Sequence, residues 1–184
     1  MAITTLDPRT ALVVIDLQQG IVSLPTVHPT AQVIAQSAKL AQAFRKKGLP
    51  VVLVNVAGGA PGRTEAPPRA GGAPPADWAE LVPELDKQPG DILVTKYTWG
   101  AVHGTPLDML LRRQGVTQVV LCGVATSIGV ESTARSLYEC GYNLTLVTDA
   151  MTDMVAEAHE NSLQRIFPRL GETGTTQDVL AKLG

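Results

Sequence analysis

Five short runs of β-branched and aliphatic residues, separated by stretches with helical spacing, restrict this chain more than any other feature. They are Ala11 to Leu17 (ALVVIDL), Pro50 to Val56 (PVVLVNV), Asp91 to Thr95 (DILVT), Thr117 to Gly123 (TQVVLCG) and Tyr142 to Thr148 (YNLTLVT). Runs of this kind and length belong to strands buried on both faces of a sheet. Between the first two, Val33, Ser37, Leu40 and Phe44 recur at helical spacing after Pro29-Thr30, and Lys46-Lys47-Gly48 reads as the stop. Strand, helix, strand implies parallel pairing through a right-handed crossover.

The rhythm continues. Thr105-Pro106 predicts a short helix with Thr105 as N-cap, Pro106 at the first helical position and Asp108 three residues after the cap, closing at Arg112 to Gly115. Ser127 to Glu139 reads as helical until Gly141, and Thr152 to Phe167 as one long helix stopped by Pro168. A short strand near Glu172 and a closing helix from Thr175 complete the series. About six strands alternating with helices predict a doubly wound, three-layer α/β/α fold around a parallel sheet, as one domain over residues 1–184. The exception is Ala57 to Gly90, which holds thirteen of the thirty Gly and Pro residues; a segment this long and irregular is either functional or a surface excursion. Within it only Trp78 to Leu85 has weak helical character.

Composition removes several classes of function. Fifteen Lys and Arg against seventeen Asp and Glu leave a net charge of −2, without the basic stripe that a phosphate backbone requires, so nucleic acid is not an expected partner. No apolar run approaches the roughly 18 residues of a membrane span. Two cysteines, Cys122 and Cys140, are too few for a disulfide framework, and MAITTLDPRT has neither the basic nor the apolar part of a secretory leader, so a cytoplasmic location is expected.

In an open parallel sheet, ligands bind outside the carboxyl ends of the strands. Asp16 after the first strand, Lys96 after the third and the turn Gly123 to Ser127 after the fourth all belong to that edge. A dinucleotide site is not expected, because IDLQQGIV supplies one glycine where Gly-x-Gly-x-x-Gly is needed, and no GxxxxGK[ST] loop occurs. A lone Asp or Lys at a strand end is usually a cap or a solvated charge. Placed together, a Lys beside a carboxylate keeps it anionic or shares its proton, which suits acid-base chemistry, while a buried structural ion pair is the competing reading.

Four ordered motifs carry a resemblance: VVIDLQ with Asp16 and Gln18, TKYTWGAVHG with Lys96, Trp99 and His103, the GVAT turn, and ESTAR. From about Ala11 to the last helix, the chain resembles the isochorismatase-like hydrolase superfamily, which includes nicotinamidases, N-carbamoyl amidohydrolases and other cysteine hydrolases. The resemblance implies a Rossmann-like topology, a homo-oligomer, and an Asp and a Lys that assist a nucleophilic Cys at the start of the helix after strand four. It also implies a cis peptide between Val124 and Ala125 that shapes an oxyanion hole, with Thr126, Ser127 and Ile128 in the same turn.

At the nucleophile's position, however, the chain has Gly129. Cys122 lies inside the fourth strand, where a reduced Cys is a small buried hydrophobe, and Cys140 is roughly 16 Å away at the far end of the helix, so a thioester mechanism is not expected. The helix N-terminus is expected to keep free N–H groups for an anion or oxyanion. Gly129 itself reads either as room for a ligand or water or as tight packing of the turn. Isochorismatases proper also lack the thiol and protonate a vinyl ether with the Asp, but where they carry a His and an Arg this chain has Ser127 and Thr98, leaving only Arg63 and Arg69 of the long segment as conceivable cations for a dicarboxylate. The pattern GxATxxGVESTAR marks a subgroup with closer resemblance. The metal-binding histidines of nicotinamidases have no counterpart in Val54 to Gly90, so no metal and no other cofactor is expected.

His28 and His159 read as structural, His103 as a donor or shuttle bordering the pocket, and Trp99 with Tyr97 as an apolar wall or as core. The resulting expectation is a hydrolase of a small polar metabolite that uses Asp16, Lys96 and water. The alternatives are a catalytically silent small-molecule binder and a true vinyl ether hydrolase.

Overall fold

A computed structural model describes residues 3–65 and 74–184. Its centre is one parallel sheet of six strands: β1 (Thr10–Ile15), β2 (Val51–Val56), β3 (Ile92–Lys96), β4 (Gln118–Val124), β5 (Asn143–Thr152) and β6 (Glu172–Gly174). Their spatial order is β3-β2-β1-β4-β5-β6, so the winding reverses between β1 and β4. This is the doubly wound order, and the crevice above such a reversal is where open α/β sheets hold ligands.

Among the described residues, six α-helices cover the sheet: α1 (Gln19–Val22), α2 (Thr30–Lys46), α3 (Leu107–Arg113), α4 (Glu131–Glu139), α5 (Ala156–Asn161) and α6 (Thr176–Leu183). Because side chains alternate along a strand, β1 feeds two cores. Leu12 and Val14 pack with Val33, Leu40 and Phe44 of α2 and Val179 of α6, whereas Ala11, Val13 and Ile15 pack with Leu107 and Leu111 of α3 and Ala134 and Leu137 of α4. All six β1 residues are buried, which accounts for the unbroken apolar run. At Gly123, φ is +121°, and a Cβ there would stand 2.1 Å from the Ile15 carbonyl oxygen. Only glycine lets β4 approach β1 this closely at the point of reversal.

The expected helices need four corrections. The long helix from Thr152 is absent at its start, because β5 continues to Thr152. Its pairing with β4 slips between Leu121↔Leu146 and Gly123↔Met151 and then resumes, so sheet hydrogen bonds capture residues whose local pattern is helical. Beyond β5 the helical stretch is broken into three pieces: α5, a wide π turn at Ser162–Ile166 and a 3₁₀ turn at Phe167–Arg169 that contains Pro168. The helix expected from Ser127 opens as a π turn, Thr126–Val130, before α4.

Thr105 is not the residue flanking α3; Pro106 holds that place, and the Thr105 hydroxyl accepts from the Leu107 amide while donating to the Ala101 carbonyl. Asp108 accepts from Tyr142 and Arg112 instead of closing a cap. Within Trp78 to Leu85 only Pro83–Leu85 is helical, as one 3₁₀ turn. Thr175 does cap α6, in a reciprocal capping box with Asp178. Among the described residues, no helix is long and apolar enough to cross a membrane.

Candidate functional site

A cavity of about 170 Å³ opens at the reversal point, lined by Asp16, Lys96, Val124, Ala125, Ile128 and Gly129 from the strand ends and the turn, and by Ile21, Leu24, Val56, Gly58, Gly59, Thr98, Trp99 and Met154 around them. Its volume is below the ~300 to 1,000 Å³ usual for drug-sized ligands, which suits a small metabolite. A larger cavity of about 370 Å³ lies at the amino ends of β2 and β3, lined by residues such as Arg45, Gly48 and Asp91. We assign the chemistry to the smaller one because it holds a buried carboxylate with an unsatisfied oxygen, that of Asp16.

Asp16 leaves β1 with φ of +52°, a left-handed conformation that Asp tolerates better than most residues. Its amide still donates to the Val54 carbonyl at 2.9 Å, so the backbone stays in the sheet while the carboxyl turns to the cavity. Lys96, the last residue of β3, crosses over and donates from Nζ to Asp16 Oδ2 at 2.7 Å and to the Thr98 carbonyl at 3.2 Å. Both side chains are buried, at 2 % and 7 % exposure. Asp16 Oδ1 is buried with no hydrogen-bond partner among the described residues. Burial pushes the Asp16 carboxyl up to about 6, with Lys96 opposing that rise by charge and hydrogen bond. A proton on this carboxyl belongs on Oδ1, since Oδ2 already accepts from an ammonium.

Beside the pair stands Gly129. A Cβ at this position would lie 3.0 Å from Ile15 Cγ2, 3.3 Å from Asp16 Oδ2 and 3.4 Å from the Val124 carbonyl oxygen. A side chain here would therefore press directly on the Asp16 carboxyl. The Val124–Ala125 peptide is cis, in agreement with the resemblance. Cys122 is fully buried in β4, accepts from the Ser37 hydroxyl at 3.5 Å, and burial pushes its thiol up to about 12; it is inert at neutral pH. Cys140 sits at the far end of α4.

Several expected site residues have other duties. Gln18 is fully buried, and its amide is consumed by the loops: Nε2 donates to the carbonyls of Val56 and Trp78, and Oε1 accepts from the Val56 amide. Thr126 is buried behind the turn, hydrogen-bonded at 2.8 Å to Nδ1 of His159. His159 in turn lies against the His28 ring, with centroids 4.9 Å apart. Burial and His28 hold the His159 pKa below the ordinary imidazole value. His103 is exposed and does not line the cavity. Trp99 does line it although 66 % exposed, whereas Tyr97, at 61 %, does not. Arg63 is exposed and away from the cavity lining; Arg69 lies outside the described residues.

Three amides of the turn, where free N–H groups are expected, are already taken. Ser127 donates to Asp153 Oδ2 at 2.6 Å, and Ile128 and Val130 donate to the Ala125 carbonyl at 3.2 and 3.1 Å. Asp153 is hidden in the sequence by the helix expected over it; an Asp ending a strand at the ligand edge is the available signal. Met154 and Leu24, single apolar residues in loops, and Ile21, in the one-turn helix α1, escape a reading of the sequence because so short a stretch has no periodicity to betray them. Among the described residues, no group of three or more His, Cys, Asp or Glu side chains is arranged to hold a metal.

Comparison with known proteins bears on the chain and its fold as a whole. Residues 10–178 match the model of the Isochorismatase domain. The chain is similar to the isochorismatase family protein YwoC of Bacillus subtilis (strain 168), with 48 % identity over 95 % of this chain and 94 % of that one. It is similar in structure to an isochorismatase family protein from Burkholderia thailandensis, with a TM-score of 0.92 and 46 % identity across 97 % of both chains. Ureidoacrylate amidohydrolase RutB of Pseudomonas syringae is 32 % identical over 77 % of this chain and 70 % of its own.

Proposed function

Because the chain belongs to the isochorismatase family of hydrolases, we propose that it hydrolyses a small metabolite by general acid catalysis from Asp16, with water rather than a cysteine as nucleophile. The observation that carries the reading is the half-satisfied carboxyl: one oxygen tied to Lys96, the other unpartnered at the cavity beside Gly129. The proton on Oδ1 passes to the substrate atom next to the scissile bond. Water adds to the electrophilic carbon so generated and gives one proton back to the carboxylate; the scissile bond of this adduct then breaks, the hydroxyl proton of the adduct moving to the leaving group as the new carbonyl forms, which closes the cycle without a covalent enzyme intermediate. Lys96 keeps the carboxyl oriented and limits its basicity, and Gly129 leaves the space that water and the reacting carbon need.

RutB, by its name, acts on ureidoacrylate, so ureides and amides join vinyl ethers and lactams as the compounds to screen. Once turnover is found, Asp16→Asn should abolish it with the fold intact. Unchanged turnover in that variant sinks the mechanism. A second reading, a silent binding protein, draws on Gly129 at the position of the family's nucleophile; it expects ligand-dependent thermal stabilisation with no turnover in any assay.

A further inference from the structure

We infer that the cavity selects an uncharged substrate, an apolar body carrying one hydrogen-bonding group directed at Asp16 Oδ1, and that it rejects carboxylates. The inference rests on the hydrolytic reading of the same site and adds the charge class of what enters it.

Two features at or behind such a site would ordinarily attract an anion, and each is already paired with one of the protein's own carboxyl groups: Lys96 on the cavity wall, and the Ser127 amide behind it, outside the cavity lining. Lys96 is a buried cation on the cavity wall, yet its ammonium is held by Asp16 Oδ2 at 2.7 Å and the Thr98 carbonyl at 3.2 Å. With Asp16 ionised, as it is for the most part above about pH 6, the pair is neutral overall and offers an anion no uncompensated cation. The amino end of the turn that runs into α4 is the other, since backbone N–H groups and the helix dipole favour negative charge there. Here Asp153, 1 % exposed, supplies that charge: Oδ2 accepts from Ser127, and Oδ1 accepts from Met154 at 2.8 Å and Val155 at 3.3 Å. Its carboxylate would repel a second one brought to the same amide.

The remaining walls complete the selection. Ile21, Leu24, Val56, Trp99, Ile128 and Met154 offer apolar surface, which stabilises an apolar body and offers an ion nothing in exchange for its hydration. The one polar side-chain atom buried without a partner, among the described residues, is Asp16 Oδ1. It can donate its proton to a carbonyl or ether oxygen, or accept from an amide N–H when ionised, and either arrangement satisfies an otherwise costly buried group.

Matched pairs that differ only in charge test this on the wild-type chain: benzamide with benzoate, cyclopentanecarboxamide with cyclopentanecarboxylate, and 3-methylbutanamide with 3-methylbutanoate. At about pH 6.5 the acids are ionised. Titrations followed by thermal shift and by amide NMR should show the carboxamides perturbing Gly129 and Gly59 and binding at least tenfold more tightly than their carboxylates. Asp153→Asn should narrow that gap about tenfold; should the variant fail to fold, the wild-type pairs decide alone. Carboxylates binding as tightly as the amides, or no amide perturbing Gly129, overturns the inference. Amides that bind at Gly129 without ever turning over would sink the hydrolytic reading and leave the charge preference standing.

Discussion

The sheet carries an ion pair at each end, partly buried at the amino end and buried at the carboxyl end, and the two are built differently. At the amino end, Asp91 accepts from Arg45 Nε at 3.0 Å and Nη2 at 2.7 Å and from the Gln88 amide at 2.8 Å, while Nη2 also reaches the Leu85 carbonyl. Both carboxylate oxygens are satisfied, and the guanidinium ties the end of α2 to the start of β3. At the carboxyl end, Lys96 reaches only one oxygen of Asp16 and leaves the other bare. A planar fork suits a static joint, whereas a point charge on one oxygen leaves its partner a proton to exchange. Burial alone does not distinguish structure from chemistry; the count of unsatisfied lone pairs does.

Substitutions at the two carboxylates should separate these roles. The largest effect expected is a loss of about 10³-fold in turnover for Asp16→Asn, within the usual range for removing a general acid; kcat on whichever substrate the screen finds is the readout. Asp91→Asn should leave kcat within about twofold but cost about 3 kcal/mol in urea denaturation, because Arg45 loses its charged partner in a largely buried place. Equal effects of both substitutions on kcat would erase the distinction.

The third expectation concerns pH. The folded-state pKa of Asp16 is raised, from 3.8 to about 6, so between these values the native state binds more protons than the unfolded one. The stability this group contributes is full below about pH 4 and is lost as pH rises through about 6, to a total of roughly 2 to 3 kcal/mol. Asp16→Asn should remove that slope from denaturation midpoints measured across the window. The same titration sets the acid form, so kcat of the wild type should fall as pH climbs past about 6. Lys96→Met removes the influences that lower this pKa and should move both transitions upward. The smallest effect is expected at Gly129→Ala: its Cβ would crowd Asp16 Oδ2 at 3.3 Å, and we expect kcat/KM to drop about tenfold, while overall stability changes by less than about 1 kcal/mol because helix propensity offsets the crowding.

The fold and the Asp16–Lys96 ion pair are legible in the sequence for one physical reason: both depend on local pattern. Strands buried on two faces leave continuous apolar runs, and a charged residue ending such a run has nowhere to go but the sheet edge. Asp16 and Lys96 stand out that way, and the GVAT turn with Gly129 by resemblance. Gln18 is misread because its motif position does not reveal which way a buried amide turns, and here it braces the chain from Val56 and Trp78. His103 is expected near the site from its sequence proximity to Lys96, yet the chain carries it out to solvent before α3. Asp153 is marked only as an Asp ending a strand, and its bond to the Ser127 amide is not legible because the slip in β5 pairing is a property of two strands together, which no window on one of them contains.

That slip also ties strand length to what stands behind the cavity. Between the two registers β4 advances from Leu121 to Gly123 while β5 advances from Leu146 to Met151, so the intervening residues act as a spacer that delivers Asp153 beneath Ser127. Side chains alternate along the resumed strand, and removing one spacer residue would exchange the carboxylate for a neighbour facing the other way. A single deletion in the spacer would thus move both the carboxylate behind the turn and Met154 on the cavity wall, so strand register and the lining of the cavity are set together.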